Sequence, residues 1–278
     1  KTPEKKEIQI ENMDLDLKIR LWNIVLVYFL DEINYNTRSS NNQFNDFVLL
    51  LYHNFYKLPV DTISDYRPNV IDKIKTHFFK CEWFIIYDLI EFILRFENDK
   101  SNIDLIEFKK IINSVLEEEF SAYRIINNQV VPITNDIEIS QIENALKTTK
   151  QYASLIGANI HLNSALEKIS DKKNPDFRNS IKESISAIES VSKVLSNNNK
   201  DSLGGALDKI KGKMNIHPSL ERGFKQIYGY TSDGDGIRHA LMDNPNCFFE
   251  DAMFMVVSSS SFINYLIIKA EKSGINII

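Results

Sequence analysis

The stretch Asn174-Pro-Asp-Phe-Arg-Asn-Ser-Ile-Lys-Glu-Ser-Ile-Ser-Ala-Ile-Glu189 carries the clearest helical pattern of the chain. Pro175 and Asp176 suit a first helical turn, because proline loses no hydrogen bond there and an acidic side chain favours the helix dipole. Apolar side chains then return every three or four residues up to the polar run 197–200: Ile181, Ile185, Ile188, Val191 and Leu195. The stretch therefore predicts an α-helix that packs with one face on a core.

Most of the remaining chain shows the same helical spacing. Glycine and proline, nine and seven among 278 residues, are scarce, which favours helices over a turn-rich β architecture. Polar breaks separate the predicted helices, and Gly157 predicts one further break. The segments are 8–33, 44–56, 69–78, 81–96, 102–120, 136–156, 158–170, 202–210, 218–228, 237–242 and 248–270. The predicted fold class is all-α, a multi-helix bundle, and the aromatic-rich segment 81–96 is expected near the centre of the core.

One short region departs from the helical period. Tyr123-Arg-Ile-Ile-Asn-Asn-Gln-Val-Val-Pro-Ile133 places two β-branched runs around Asn127-Asn128, which predicts one small β-hairpin. This change of period is the best candidate for a domain boundary. We therefore predict an N-terminal helical domain over residues 1–134, ending in the hairpin, and a second helical domain over residues 135–278.

Composition narrows the class of protein. An apolar fraction of 43% with 26% charged residues is ordinary for a soluble globular protein. The formal net charge of −5 gives no general basic character, although a local basic patch can act within an acidic whole. Two cysteines, Cys81 and Cys247, show no zinc-type spacing and predict buried thiols in a reducing compartment. The longest uninterrupted apolar runs, such as 83–86 and 253–257, are far shorter than a bilayer span. We expect a cytoplasmic protein with no membrane partner, no metal and no cofactor.

A polar glycine turn concentrates chemistry near the C-terminal end. Tyr230-Thr-Ser-Asp-Gly-Asp-Gly-Ile-Arg-His-Ala-Leu-Met-Asp243 predicts a turn that opens a short helix with Arg238 and His239 side by side. On a helix, Asp243 shares a face with His239, so its carboxylate could orient the imidazole. The alternative is structural: the arginine and the histidine tie the turn to acidic side chains nearby.

The first turn of the helix that begins at 174–176 carries a second polar set. Arg178 and Lys182 are four residues apart, so they share a face that could approach a phosphate, helped by free backbone N–H groups. Asn179 and Glu183 add hydrogen-bonding groups. The alternative here is that Arg178 pairs with Asp171 or Glu183.

Other polar residues are interpreted as structural. His161 is expected on a helix with Leu162 and Leu166, as a satisfied histidine rather than a ligand. His217, before Pro218, suits a helix start. The serine run 258–261 lacks the glycine-flanked elbow of a serine hydrolase.

Several of these stretches resemble the AbiJ N-terminal-domain proteins of bacterial abortive phage infection, and the resemblance extends over almost the whole chain. The matching stretches are Leu21-Trp-Asn23, Val131-Pro-Ile-Thr134, 174–189, Leu203-Gly204, Ile216-His-Pro218 and 228–241. The resemblance implies that the C-terminal half is HEPN-like, one of the all-α ribonuclease-like modules of phage defence. Active HEPN modules usually dimerise and cut RNA without a metal.

The resemblance also implies roles for the polar residues. The family pattern is an arginine, a polar residue and then a histidine four to six residues after the arginine. Arg238 and His239 match the first two positions, while Asp243 stands where the histidine is expected. The implied reaction is attack of a ribose 2′-OH on the adjacent phosphate, with His239 as base or acid and Arg238 stabilising the phosphorane charge.

The helix start at 178–183 has a supporting role in this scheme. Arg178, Asn179 and Lys182 would position the RNA backbone, and Glu183 would orient an arginine. The predicted protein is thus an antiphage effector, a metal-independent RNA endonuclease that acts as a homodimer in response to a phage-derived trigger. Two alternatives stay open: a non-catalytic HEPN-like binding or sensor module, and an oligomeric interaction or antitoxin-like protein.

Overall fold

The structure, a computed structural model, describes residues 7–33, 43–96, 104–233 and 247–277. The chain divides into two compact units, Lys1–Thr134 (unit 1) and Asn135–Ile278 (unit 2). Within the described residues there are eleven α-helices and one two-stranded antiparallel sheet. The predicted all-α class with a single hairpin is confirmed.

The described part of unit 1 contains five α-helices, a short hairpin and three irregular helical turns. The first two helices each run on into a π-helical turn, at Leu26–Leu30 and Leu51–Tyr56, and a 3₁₀ turn covers Val60–Thr62. The α-helices are α1 Leu15–Val25, α2 Gln43–Leu50, α3 Arg67–Lys80, α4 Trp83–Arg95 and α5 Leu105–Glu118. Side-chain oxygens of Asp14 and Asp104 accept backbone N–H groups at the starts of α1 and α5.

The core of unit 1 is rich in aromatic side chains. Phe29 and Phe47 are fully buried with their ring centroids 4.7 Å apart in an edge-to-face arrangement. Trp22 meets Phe78 in the same manner at 5.4 Å. Helix α4 contributes its apolar stripe to this core through Ile86, Tyr87, Leu89, Ile90 and Ile93. The expected central position of segment 81–96 is confirmed.

The hairpin has the predicted position and turn. Strands β1 (Arg124–Ile126) and β2 (Gln129–Val131) pair antiparallel, with Arg124 opposite Val131. Asn127 adopts a φ of 57°, the left-handed conformation that asparagine tolerates better than most residues.

Unit 2 is built around one long central helix. Its described helices are α6 Asp136–Gln151, α7 Ile156–Ser170, α8 Phe177–Ser196, α9 Leu203–Lys211, α10 Pro218–Asp233 and α11 Phe249–Lys272, and the predicted helix 237–242 lies outside the described residues. Helix α8 packs against α7, α9 and α11. Its buried stripe is the predicted one and includes Ile181, Ile185, Ile188, Val191 and Leu195.

The predicted break at Gly157 is wrong. Helix α6 ends at Gln151, a 3₁₀ turn follows at Ala153–Leu155, and α7 runs through Gly157 without interruption. A Cβ at Gly157 would lie 3.1 Å from the Ser190 Oγ of α8. The glycine therefore permits a close approach of two helices, a tertiary reason that local spacing does not reveal.

Helices α9 and α10 are joined by a cluster of ion pairs. Lys225 contacts Asp208 at 2.8 Å and also Glu221, while Lys211 lies 2.7 Å from Asp208 and 3.6 Å from Glu221. The two lysines lower the pKa of the Asp208 carboxyl to about 2 through their hydrogen bonds, Lys211 most strongly. This cluster holds the start of α10, the helix that leads toward the Arg238-His239 stretch.

Among the described helices, α11 alone has the length and composition to cross a membrane. Of its most apolar 18-residue window, 56% is buried inside unit 2. A core helix of a soluble protein passes the same test of length and composition.

Candidate functional site

The start of α8 is organised by the Asp176 carboxylate. One carboxylate oxygen accepts the backbone N–H of Asn179 at 3.0 Å, and the other accepts its side-chain amide at 2.7 Å. Burial of Asp176 opposes ionisation, but these two hydrogen bonds outweigh it and lower the pKa of the carboxyl. Asn179, one of the predicted site residues, is therefore held in place by the residue that caps the helix.

The loop before α8 is held by a second aspartate. Asp171 Oδ1 accepts the backbone N–H groups of Asn174 and Lys173, each at 2.9 Å, and these bonds lower the pKa of its carboxyl. The backbone N–H of Asp176 donates to the Lys168 carbonyl at 2.9 Å. The entry to α8 thus has a defined conformation, which sets the direction of its first polar side chains.

Helix geometry places the predicted residues on one polar face of α8. Successive residues turn by about 100°, so Arg178 and Lys182 lie near one edge, Asn179 in the middle and Glu183 near the other edge. Lys182 is exposed, and the other three are partly exposed. We call these four residues, Arg178, Asn179, Lys182 and Glu183, the α8 polar face.

Glu183 contacts His161, a histidine that the sequence predicts to be structural. Glu183 Oε2 lies 2.6 Å from His161 Nδ1 on α7. Nearby, Ser180 Oγ donates to the Ala165 carbonyl at 2.8 Å, so early residues of α8 meet later residues of α7 and the two helices run antiparallel. The histidine side chain is 39% exposed and the glutamate 20%. The contact joins residues 22 apart on different helices, so no spacing within one helix signals it.

The start of α8 lies close to the chain that enters α11. Burial raises the pKa of the Cys247 thiol, and the charges of Asp251 and Asp176 raise it further, while Arg178 opposes them. The rings of Phe177 and Phe249 also meet, with centroids 6.1 Å apart. The first residues of α8 and of α11 are therefore neighbours, although about 70 residues separate them in sequence.

The three residues predicted at the reacting centre lie outside the described residues. They are Arg238, His239 and Asp243, and their predicted roles stay predictions. The stretch that contains them follows α10 and precedes Cys247, which lies eight residues after His239.

Comparison with known families decides the membership of the chain. The model of AbiJ N-terminal domain 4 matches residues 1–148, just over half of the 278 residues. The chain belongs to the AbiJ N-terminal domain 4 family. Membership places it among proteins of abortive phage infection. No curated protein and no solved structure gives a significant match.

The AbiJ N-terminal domain 4 match covers unit 1 and most of α6, and ends before α7. It does not reach the α8 polar face or the Arg238-His239 stretch. The HEPN-like character of unit 2 therefore stays a prediction, supported by the residues quoted from that half.

Proposed function

We propose that this AbiJ-family chain is an effector of abortive phage infection and that unit 2 is an endoribonuclease that needs no metal ion. The observation that supports it most is the contact of Phe177 with Phe249, whose ring centroids lie 6.1 Å apart, because it brings the start of α8, which carries Arg178, close to the chain that enters α11. In sequence, His239 lies only eight residues before Cys247, where the chain enters α11.

The proposed reaction is an internal transesterification of RNA. A ribose 2′-oxygen attacks the adjacent phosphorus, the bond to the 5′-oxygen breaks, and the products carry a 2′,3′-cyclic phosphate and a 5′-OH. Arg238 would stabilise the charge of the phosphorane, and His239 would transfer a proton. Arg178 and Lys182 would hold neighbouring phosphates, because both cations share one edge of the helix face. We further propose that the enzyme acts in the cytoplasm as a homodimer, in response to a phage-derived trigger.

The test is cleavage of labelled tRNA and total RNA by the purified chain in EDTA. We expect the wild type to cut and to leave 2′,3′-cyclic phosphate ends, whereas His239→Ala and Arg238→Ala should not cut. His53→Ala is a matched control, because His53 lies in unit 1, is exposed, and its Nδ1 lies 2.6 Å from Oδ1 of its neighbour Asn54. Circular dichroism of every variant verifies folding. Equal cutting by all variants would show a contaminating nuclease and overturn the proposal.

A second candidate is a HEPN-like binding or sensor module without catalysis. It is favoured by Asp243, which stands where the family pattern has a histidine. This candidate predicts RNA binding that weakens in Arg178→Ala, with no cleavage by the wild type. Fluorescence anisotropy with the same tRNA, run beside the cleavage assay, separates the two functions.

A further inference from the structure

The segment from Lys200 to Lys225, which contains α9 and the start of α10, departs from the acidic character of the chain. It holds six lysine and arginine residues against three aspartate and glutamate residues, a formal charge of +3, whereas the whole chain carries −5. A local positive patch can attract a polyanion even when the net charge of the protein is negative. The segment presents such a patch if its acidic groups are turned inward.

Two of the three acidic side chains of this segment are largely buried. The Glu221 side chain is 5% exposed and that of Asp201 is 13% exposed, whereas Asp208 lies at the surface with 49%. The lysines that bind the acids stay more open to solvent, with 49% of Lys209 and 41% of Lys211 exposed. The outer charge of the segment is therefore mainly positive.

Helices α9 and α10 run antiparallel, which brings cations of both helices to one seam. Lys211, in the last turn of α9, lies 3.6 Å from Glu221 in the first turn of α10. One turn later in α10, Lys225 contacts Asp208 at 2.8 Å, and its Cε lies 3.8 Å from the position of a Cβ on Gly204. The ammonium groups of Lys211 and Lys225 thus flank a single carboxylate, that of Asp208.

Lys213 extends the positive charge beyond the end of α9. The backbone N–H of Met214 donates to the Ile210 carbonyl at 2.9 Å, so the helical turn continues past Lys211. Lys213 therefore shares a face with Lys209, four residues earlier. The Lys213 side chain is exposed and forms no ion pair with any described residue.

Arg222 adds a further positive charge on α10. It lies three residues before Lys225, so the two side chains are neighbours on the helix surface. Its guanidinium donates to Ser219 Oγ at 3.1 Å, and within the described part of the chain it has no acidic partner. We define the α9–α10 basic surface as Lys209, Lys211, Lys213, Arg222 and Lys225.

The side chains of the α9–α10 basic surface suit a phosphate backbone better than a protein partner. Lysine is depleted at the centres of protein interfaces, where aromatic side chains are enriched. In the described segment 200–225, Leu220 is the one large apolar side chain that is exposed. A phosphate, in contrast, can accept hydrogen bonds from two ammonium groups at once, as the Asp208 carboxylate does. Lysine contacts with phosphates also supply most of the sequence-independent binding of nucleic acids.

We infer that the α9–α10 basic surface anchors the phosphate backbone of RNA on unit 2. The inference rests on the proposed function, because it takes RNA as the ligand of this unit. Ser196 Oγ donates to Asp201 at 3.2 Å, so α9 begins beside the C-terminal end of α8, whereas the α8 polar face lies at the start of that helix. The anchor is therefore a second binding surface. Because phosphate contacts carry no sequence information, its binding is independent of base sequence.

The experiment measures binding of a labelled 2′-O-methyl RNA by fluorescence anisotropy over a range of salt concentrations. The proposed reaction cannot cut this RNA, because it has no 2′-OH. The variants are Lys213→Glu, Arg222→Glu and the double variant, which remove no ion pair found in the described fold. The matched control is Lys147→Glu with Lys150→Glu, two exposed lysines of α6 that undergo the same change of charge. Thermal melting shows whether each variant folds.

The expected result is a change in the salt dependence of binding, which a purely structural role would not produce. Each phosphate contact on a single strand contributes about 0.7 to the slope of log Kobs against log salt, so each single variant should lose about that much. The double variant should lose about twice as much and bind about 10-fold more weakly at low salt. The α6 control should keep the wild-type slope, because charges beyond a Debye length are screened. At saturating protein, the double variant should cut tRNA at the wild-type single-turnover rate.

The outcomes that overturn the inference differ from those that overturn the proposed function. If the wild type cuts tRNA but the double variant keeps its affinity and salt slope, the inference alone fails. It also fails if the wild type does not bind the RNA, or if the α6 control loses as much affinity, since net charge would then explain the effect. Displacement of the RNA by polyglutamate as readily as by unlabelled RNA would assign the surface to an acidic protein instead. If the wild type binds with the expected slopes but does not cut, the proposed function fails and the inference stands.

Discussion

Glu91 Oε1 accepts the backbone N–H of Val130 at 2.9 Å, and so a carboxylate of α4 holds strand β2 of the hairpin. The other oxygen of Glu91 accepts a hydrogen bond from Arg95 at 3.0 Å, one helical turn later. Glu91 is only 9% exposed. A buried carboxylate with two such partners connects the central helix of unit 1 to its only described sheet.

We expect Glu91→Ala to destabilise unit 1 by about 1–3 kcal/mol, because the Val130 N–H would be left buried without its acceptor. Glu91→Gln should cost less, since its amide oxygen can still accept that bond. Urea unfolding of the full chain measures both changes. Glu117→Ala, at an exposed position of α5, is the control. Equal losses of stability in Glu91→Ala and Glu117→Ala would show that the hydrogen bond from Val130 to Glu91 does not stabilise unit 1.

The ion-pair cluster of α9 and α10 predicts a dependence of stability on acid pH. The folded-state pKa of Asp208, about 2, lies below its ordinary value of 3.8, so the stabilisation is fully present above about pH 4. It is lost as the pH falls from there toward 2. Because Asp208 is half exposed, its size is at most about 1 kcal/mol.

Thermal melting between pH 2 and pH 6 tests this dependence. Asp208→Asn should reduce the difference in Tm between pH 4 and pH 2, because the group that titrates is gone. Added salt should weaken the same stabilisation at pH 6, since exposed ion pairs are screened. An unchanged acid transition in Asp208→Asn would rule out this carboxylate as a source.

Gly157 allows a double-mutant test of helix proximity. Alanine in a helix interior is more stable than glycine by about 1 kcal/mol. Gly157 is the second residue of α7, so the gain there is smaller, and a Cβ at residue 157 would lie 3.1 Å from Ser190 Oγ. We expect Gly157→Ala to gain less in the wild type than in a Ser190→Ala background, where that oxygen is absent. Gly223→Ala in α10, where nothing lies within 4 Å of the added Cβ, should give the full gain. Equal gains for residue 157 in both backgrounds would contradict the close contact.

The Asp176 cap of α8 predicts a loss of stability that a second capping residue can partly restore. Asp176→Ala should destabilise unit 2 by about 1 kcal/mol, because the N–H of Asn179 loses its acceptor. Asp176→Ser should retain much of the stability, since its hydroxyl oxygen can cap the same N–H. Chemical denaturation compares the three proteins. Equal losses for the alanine and serine variants would show that capping is not the reason.

The local part of the fold follows from sequence periodicity. The stripe from Ile181 to Leu195 predicts α8 and its buried face, because a helix repeats every 3.6 residues whatever surrounds it. The hairpin follows from two β-branched runs about Asn127, a residue that accepts the positive φ of the turn. Each signal lies within one short segment, where chain geometry alone relates one side chain to the next.

Gly157 and the candidate site show contacts between helices that sequence periodicity cannot predict. From local sequence, Gly157 is interpreted as a helix breaker. In the fold, its missing side chain leaves room for Ser190 of α8. From sequence, Glu183 is predicted to orient an arginine. In the fold, it contacts His161 of the neighbouring helix α7. The start of α8 gains the start of α11 as a neighbour, through the contact of Phe177 with Phe249. Helical propensity and amphipathic patterning are properties of short segments, whereas these contacts depend on how helices pack, and packing is set by side-chain volumes of residues distant in the chain.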